Sequence, residues 1–103
     1  MARQRKASRG KHRWIGFQVE NIVQDRSAME AILEKTLGDM GWRLYDFANS
    51  QKPVLCILRV SLPDSDSAIS TLNSIKSIST VAKSGKIRLV RERMGLERPP
   101  RKR

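Results

Sequence analysis

The chain has 103 residues, 39% of them hydrophobic, with one cysteine, one histidine and a formal net charge of +11. A length of this order predicts one small domain, one cysteine leaves no disulfide framework or zinc cage to build, and no apolar run approaches the roughly 20 residues of a membrane helix. The surplus charge is segregated: +6 over residues 1–13, +7 over residues 83–103, and −2 between them.

Residues 1–13 hold Arg3, Arg5, Lys6, Arg9, Lys11 and Arg13 and no acid, which predicts a basic N-terminal arm. They lack the apolar core of a secretory signal, and although basic enough for a transit peptide they offer no apolar face beyond two alanines. From Arg13 to Asn21 the residues alternate, with Ile15, Phe17 and Val19 on one face and Trp14, Gly16, Gln18 and Glu20 on the other, as in a half-buried strand. Ser27 followed by Glu30 has the spacing of a capping box, and Met29, Ile32, Leu33, Leu37 and Met40 recur at helical intervals up to a stop at Gly41.

Trp42 to Ala48 reads as a second strand, its pattern broken by Asp46 in phase with Trp42 and Leu44. A turn at residues 49–53 follows by composition. Val54 to Leu62 is the strongest strand, with Val54, Cys56, Leu58, Val60 and Leu62 on one face and Leu55 and Ile57 partly covering the other, and belongs in the sheet interior. The lone cysteine, Cys56, sits in it as a small buried apolar residue, which suits a reducing compartment. Pro63 and Asp64 open a second helix whose stripe is Ala68, Ile69, Leu72 and Ile75. The serine-rich segment 74–84 holds the helix end, a loop and a short strand around Thr80 to Ala82. Lys86 to Met94 fits either a last strand, with Ile87 and Leu89 inward, or the start of a helix, and Pro99 with Pro100 ends regular structure. The predicted domain therefore spans 14–94, with a basic tail over 95–103.

The order β-α-β-β-α-β predicts an α+β two-layer sandwich of the ferredoxin-like kind: an antiparallel sheet with both helices on one face and the other face open. That architecture hosts many functions. Catalysis finds little footing. His12 stands among cations that oppose its protonation, Gly38 and Gly41 lack the spacing of a nucleotide-binding loop, and Asp64 with Asp66 is explained by capping at a helix start. No catalytic residue, cofactor or metal ligand is assigned.

The basic ends point instead to a polyanion, because charge on chain termini can follow a phosphate backbone and displace its counterions. Arginine predominates, and its planar fork pairs with phosphate and stacks on unpaired bases, which favours structured RNA. A membrane surface would call for aromatic or aliphatic residues at helical spacing beside the charges, and neither end has them. Solubilisation or a nuclear address is the plainer alternative for the tails. Trp14, outward on the first strand beside Arg13, is placed either to stack a base or to pack against the arm or a partner. The candidate RNA contacts in the C-terminal part are Lys86, Arg88, Arg91, Arg93, Arg98, Arg101, Lys102 and Arg103. An RNA-recognition motif is disfavoured, because residues 54–62 contain no aromatic.

Several short motifs carry a resemblance. Cys-Ile-Leu-Arg-Val at 56–60, the acidic helix opening at Asp64 to Asp66, Thr-Leu-Asn-Ser-Ile with Leu72 and Ile75, and Ser-Gly-Lys-Ile-Arg at 84–88 resemble the archaeal and eukaryotic ribonuclease P protein subunits of the archaeal protein component two type. Arg13-Trp14-Ile15-Gly16-Phe17 resembles that family's opening strand, and about three quarters of the chain is covered. Lys86 stands where the family usually has threonine. The resemblance implies a non-catalytic subunit that shapes a catalytic RNA for removal of transfer-RNA 5′ leaders, with Arg59, Ser84, Gly85, Lys86 and Arg88 as contacts. A ribosomal protein binding ribosomal RNA shares the same charge distribution, and a ligand-sensing or protein-interaction module shares the same architecture. The expected setting is an intracellular ribonucleoprotein particle that includes other proteins, cytoplasmic or, in a eukaryote, nuclear or organellar.

Overall fold

The computed structural model describes residues 11–20, 23–38, 40–49 and 53–96. Along the chain run β1 (His12–Val19), α1 (Arg26–Leu37), β2 (Trp42–Ala48), β3 (Val54–Ser61), a 3-10 turn (Leu62–Asp64), α2 (Ser65–Asn73), β4 (Ile78–Ser84) and α3 (Ile87–Met94). The strands form one sheet in the order β2-β3-β1-β4, with every neighbouring pair antiparallel. This is the ferredoxin-like two-layer sandwich, with one addition: α3.

The core lies between the sheet and α1 with α2. Alternation along β1 sends Ile15, Phe17 and Val19 into it, and β3 contributes Val54, Cys56, Leu58 and Val60. Helix α1 adds Met29, Leu33 and Leu37, one residue every four, and α2 adds Ala68 and Leu72. The start of α1 differs from the capping box expected at Ser27. Asp25 is the cap, its carboxylate accepting from the Ala28 amide at 2.9 Å, and Ser27 lies inside the helix. The stop falls at Gly38 rather than Gly41, because the residue that ends the helix stands at φ 59°, where a side chain is strained. Asp64 occupies the cap position of α2 without capping it and instead accepts a hydrogen bond from the Ser61 hydroxyl at 3.0 Å.

Two irregularities re-aim the sheet. The β2–β3 register shifts between Leu44 and Asp46, so that Leu44 faces Leu58 in the core while Asp46 faces Ile57 on the opposite surface. This bulge explains the broken pattern of β2: one extra residue carries Asp46 out of the core. The second lies in β4. Phe17 pairs with Thr80 but Gly16 with Ala82, leaving Val81 as the extra residue, and the Thr80 amide donates to Asn73 Oδ1 at 2.9 Å, which ties the end of α2 to the strand. The last strand is therefore the full Ile78–Ser84, and the alternatives for 86–94 resolve as helix. The basic stretch 1–13 overlaps β1, since Arg13 pairs with Val60.

The sheet surface away from α1 and α2, expected to be open, is partly covered. Helix α3 folds back across it, and Val90 is fully buried there with Ile57 of β3. Gly16 makes this possible: a Cβ on it would collide with Met94 Sδ and stand 2.7 Å from Val90 Cγ1. A glycine inside a strand often marks such an approach of another segment.

Burial also fixes the character of Cys56. The thiol is fully buried, and desolvation pushes its pKa up to about 12. In the unfolded chain it ionises from about pH 9, so its contribution to stability is complete below that pH and is lost as pH rises from about 9 toward 12. Denaturant midpoints measured at pH 8 and pH 10.5 should fall more for the wild type than for Cys56→Ala; parallel falls would mean the thiol is not protected.

Candidate functional site

Where α3 does not cover it, the outer surface of the sheet carries a compact group of four side chains. Trp14 projects from β1, Arg59 from β3, and Arg43 with Tyr45 from β2. The two rings meet edge to face, with centroids 4.6 Å apart and planes at 82°. The Arg59 guanidinium carbon stands 5.9 Å from the Trp14 ring centre and 5.6 Å from that of Tyr45, and Arg43 lies 5.7 Å from Tyr45. Cations at these distances are held by the electron-rich ring faces. Tyr45 is the extra residue of the β2 bulge, which is why it and Asp46 both reach this surface.

Arg43 and Arg59 are direct partners across the β2–β3 ladder. Like charges so placed repel, at a cost of a few tenths to about 1 kcal/mol. The ion pairs among the described residues are Arg26 with Glu30, Lys83 with Asp66 and Arg91 with Asp46, so neither member of the facing pair has a carboxylate there. Two guanidinium groups from facing positions beside aromatic rings, neither paired with a described acid, have the chemistry to pair with an anion that also offers a planar group. Beside them an open depression of about 400 Å³ is lined by His12, Gly41, Trp42, Arg43, Arg59 and Ser61.

On the other side the group is bounded by α3. Arg91 donates from Nε and Nη2 to the two carboxylate oxygens of Asp46, at 2.8 and 2.9 Å, with each side chain only 17% exposed. The hydrogen bond to Asp46 holds Arg91 charged, its pKa raised above the ordinary value.

No family model, curated protein or solved structure matches this chain. Function is accordingly argued from the residues.

The sequence-assigned residues do not gather at one place. Arg3, Arg5, Lys6, Arg9, Arg98, Arg101, Lys102 and Arg103 lie outside the described residues. Trp14 and Arg59 come together in the aromatic and arginine group. Lys11 is exposed at the foot of β1, its carbonyl accepting from the Leu62 amide at 2.9 Å. Arg13 turns the other way, donating to the His12 carbonyl at 2.9 Å and lying close to Gly85. Ser84, Gly85 and Lys86 form the turn from β4 into α3, with the Ser84 hydroxyl accepting from the Lys86 amide at 3.1 Å. Arg88 and Arg93 are exposed on α3, whereas Arg91 is engaged by Asp46.

Arg43 and Tyr45 were not anticipated. Their signal was positional: Arg43 lies on the phase of β2 opposite Trp42 and Leu44, but only the register of β2 on β3 brings it against Arg59. Among the described residues no three histidine, cysteine or acidic side chains converge as a metal site would require, and no helix is long and apolar enough to cross a membrane.

Proposed function

We propose that the protein is a non-catalytic RNA-binding subunit of a ribonucleoprotein, holding structured RNA through its basic ends and the arginine-bearing surface of its sheet. The observation that carries this reading is the facing pair Arg43 and Arg59, set beside two aromatic rings with no described carboxylate in reach. An isolated domain gains nothing from that repulsion, whereas a phosphate between the two groups relieves it. The segregation of charge to the ends of the sequence supports the same partner.

The resemblance of residues 56–60 and 84–88 to ribonuclease P protein subunits supports a place in transfer-RNA 5′ maturation. The RNA then performs the chemistry, and Arg59, Ser84, Gly85, Lys86 and Arg88 help hold it in shape. A ribosomal setting draws on the same two basic ends. Crosslinking in the native cell separates the two by the RNA recovered. In either case the particle would be cytoplasmic, or nuclear or organellar in a eukaryote, and would include other proteins.

RNA binding is tested by its salt dependence. With about eight phosphate contacts, the logarithm of affinity for an RNA hairpin should fall against log salt with a slope of roughly −6. Removing residues 1–10, which carry Arg3, Arg5, Lys6 and Arg9, should flatten that slope by about 3 units and leave β1 intact, because the strand begins at His12. A slope near zero for the full chain would sink the reading.

A further inference from the structure

Resting on the RNA reading above, we propose that the surface formed by Trp14, Arg43, Tyr45 and Arg59 is a binding site for a single unpaired nucleotide of that RNA, distinct from the sequence-independent contacts made by the basic ends. The argument begins with the aromatic rings. Trp14 and Tyr45 are each only partly buried, on a sheet surface where a fully packed domain would cover them. An aromatic platform offers a stacking face to any base. Bases inside a duplex already have both faces stacked on their neighbours, so only a nucleotide out of the helix can use it.

Charge supplies the second part. Arg43 and Arg59 are cross-strand partners on this surface, their guanidinium carbons 5.6–5.9 Å from the ring centres, and neither pairs with a described acid, which leaves two donors within reach of the phosphate of a nucleotide bound at the rings. The adjoining depression, bordered by His12 and Ser61 as well as the two arginines, measures about 400 Å³. That volume is within the range of small-ligand sites, roughly 300–1,000 Å³.

The boundaries limit the length of RNA accepted. Helix α3 lies across the neighbouring part of the sheet, anchored beside Tyr45 by the Asp46–Arg91 pair, and β3 presents Ile57 rather than an aromatic beneath it. A long single strand has no continuous track across this sheet. A bulged or flipped nucleotide flanked by paired RNA does fit.

The test uses the full chain and two RNA hairpins of equal length and charge, one fully paired and one containing a single bulged adenosine. The wild type should bind the bulged hairpin about tenfold more tightly, within the range one stacked base is worth. Trp14→Leu should bring that ratio close to one, because it removes a stacking ring without changing charge. Should Trp14→Leu fail to fold by circular dichroism, Arg59→Gln provides the second reading, with a several-fold drop in the ratio expected. Equal wild-type affinity for the two hairpins would overturn the nucleotide site and leave RNA binding standing. A ratio that survives both substitutions would also overturn it, by locating the bulge elsewhere. Failure to bind either hairpin would remove the RNA reading itself.

Discussion

Gly16→Val is expected to destabilise the domain by about 2–3 kcal/mol, the upper part of the range for overfilling a packed site. The strand itself would accept valine readily, since β-branched residues favour extended backbone. The obstacle is α3. The new Cβ would meet Met94 Sδ and lie 2.7 Å from Val90 Cγ1. Methionine can swing aside, but Val90 is fully buried and stiff at χ1. The helix must therefore lift, exposing Val90 and Ile57. Reversible denaturation measures the loss, and a reciprocal exchange identifies its cause. Gly16→Ala combined with Val90→Ala should be at least 1 kcal/mol more stable than the sum of the separate losses predicts, because one substitution supplies volume that the other removes. Strict additivity would show that the two positions do not touch.

Breaking the pair between Asp46 and Arg91 should have a comparable effect. Both side chains are largely shielded, and the contact is bidentate at 2.8 and 2.9 Å. Removing either partner leaves a charge in a place where water reaches it poorly, so Asp46→Ala or Arg91→Ala should each cost about 2 kcal/mol, below the 3–5 kcal/mol of a fully buried pair. The double substitution should cost clearly less than the two together. Trypsin supplies a readout specific to α3, whose Arg88, Arg91 and Arg93 are cleavage sites. Asp46→Ala should quicken cleavage there well before the strands open. Cleavage unchanged from the wild type would mean that Val90 and Met94 hold the helix without the pair.

Much of the architecture is legible in the sequence because it depends on local periodicity. Ile15, Phe17 and Val19 alternate, Met29, Leu33 and Leu37 recur at four, and residues 54–58 are apolar on both faces, with Ile57 buried on the outer one. The missed features depend on contacts between distant segments. Asp46 looks misplaced until a bulge shifts it, and nothing in Leu44-Tyr45-Asp46-Phe47 marks the extra residue except the acid itself. Strand β4 is an edge strand with few apolar positions, so its seven residues were underestimated. Residues 87–94 fit two periods, two through Ile87 and Leu89, or four through Val90 and Met94. Gly16 decides between them, since the space it leaves is filled by Val90 and Met94, while Leu89 stays 43% exposed. The candidate site was half visible. Trp14 and Arg59 were singled out, but Tyr45 joins them only through the bulge and Arg43 only through the register of β2.

The position of β1 inside the sheet sets a condition on the birth of the molecule. β1, which precedes the other described strands in the chain, pairs on one side with β3, His12 opposite Ser61, and on the other with β4, Val19 opposite Ile78. Its second partner is made only after Ile78, and the helix that seats on Gly16 later still. A nascent chain arrested before β4 therefore holds an apolar strand with an unsatisfied edge, the kind of surface that other chains adhere to. The sheet cannot close until β4 and α3 have been made, and an early binder of that edge, whether chaperone or assembly partner, would protect the protein during its synthesis.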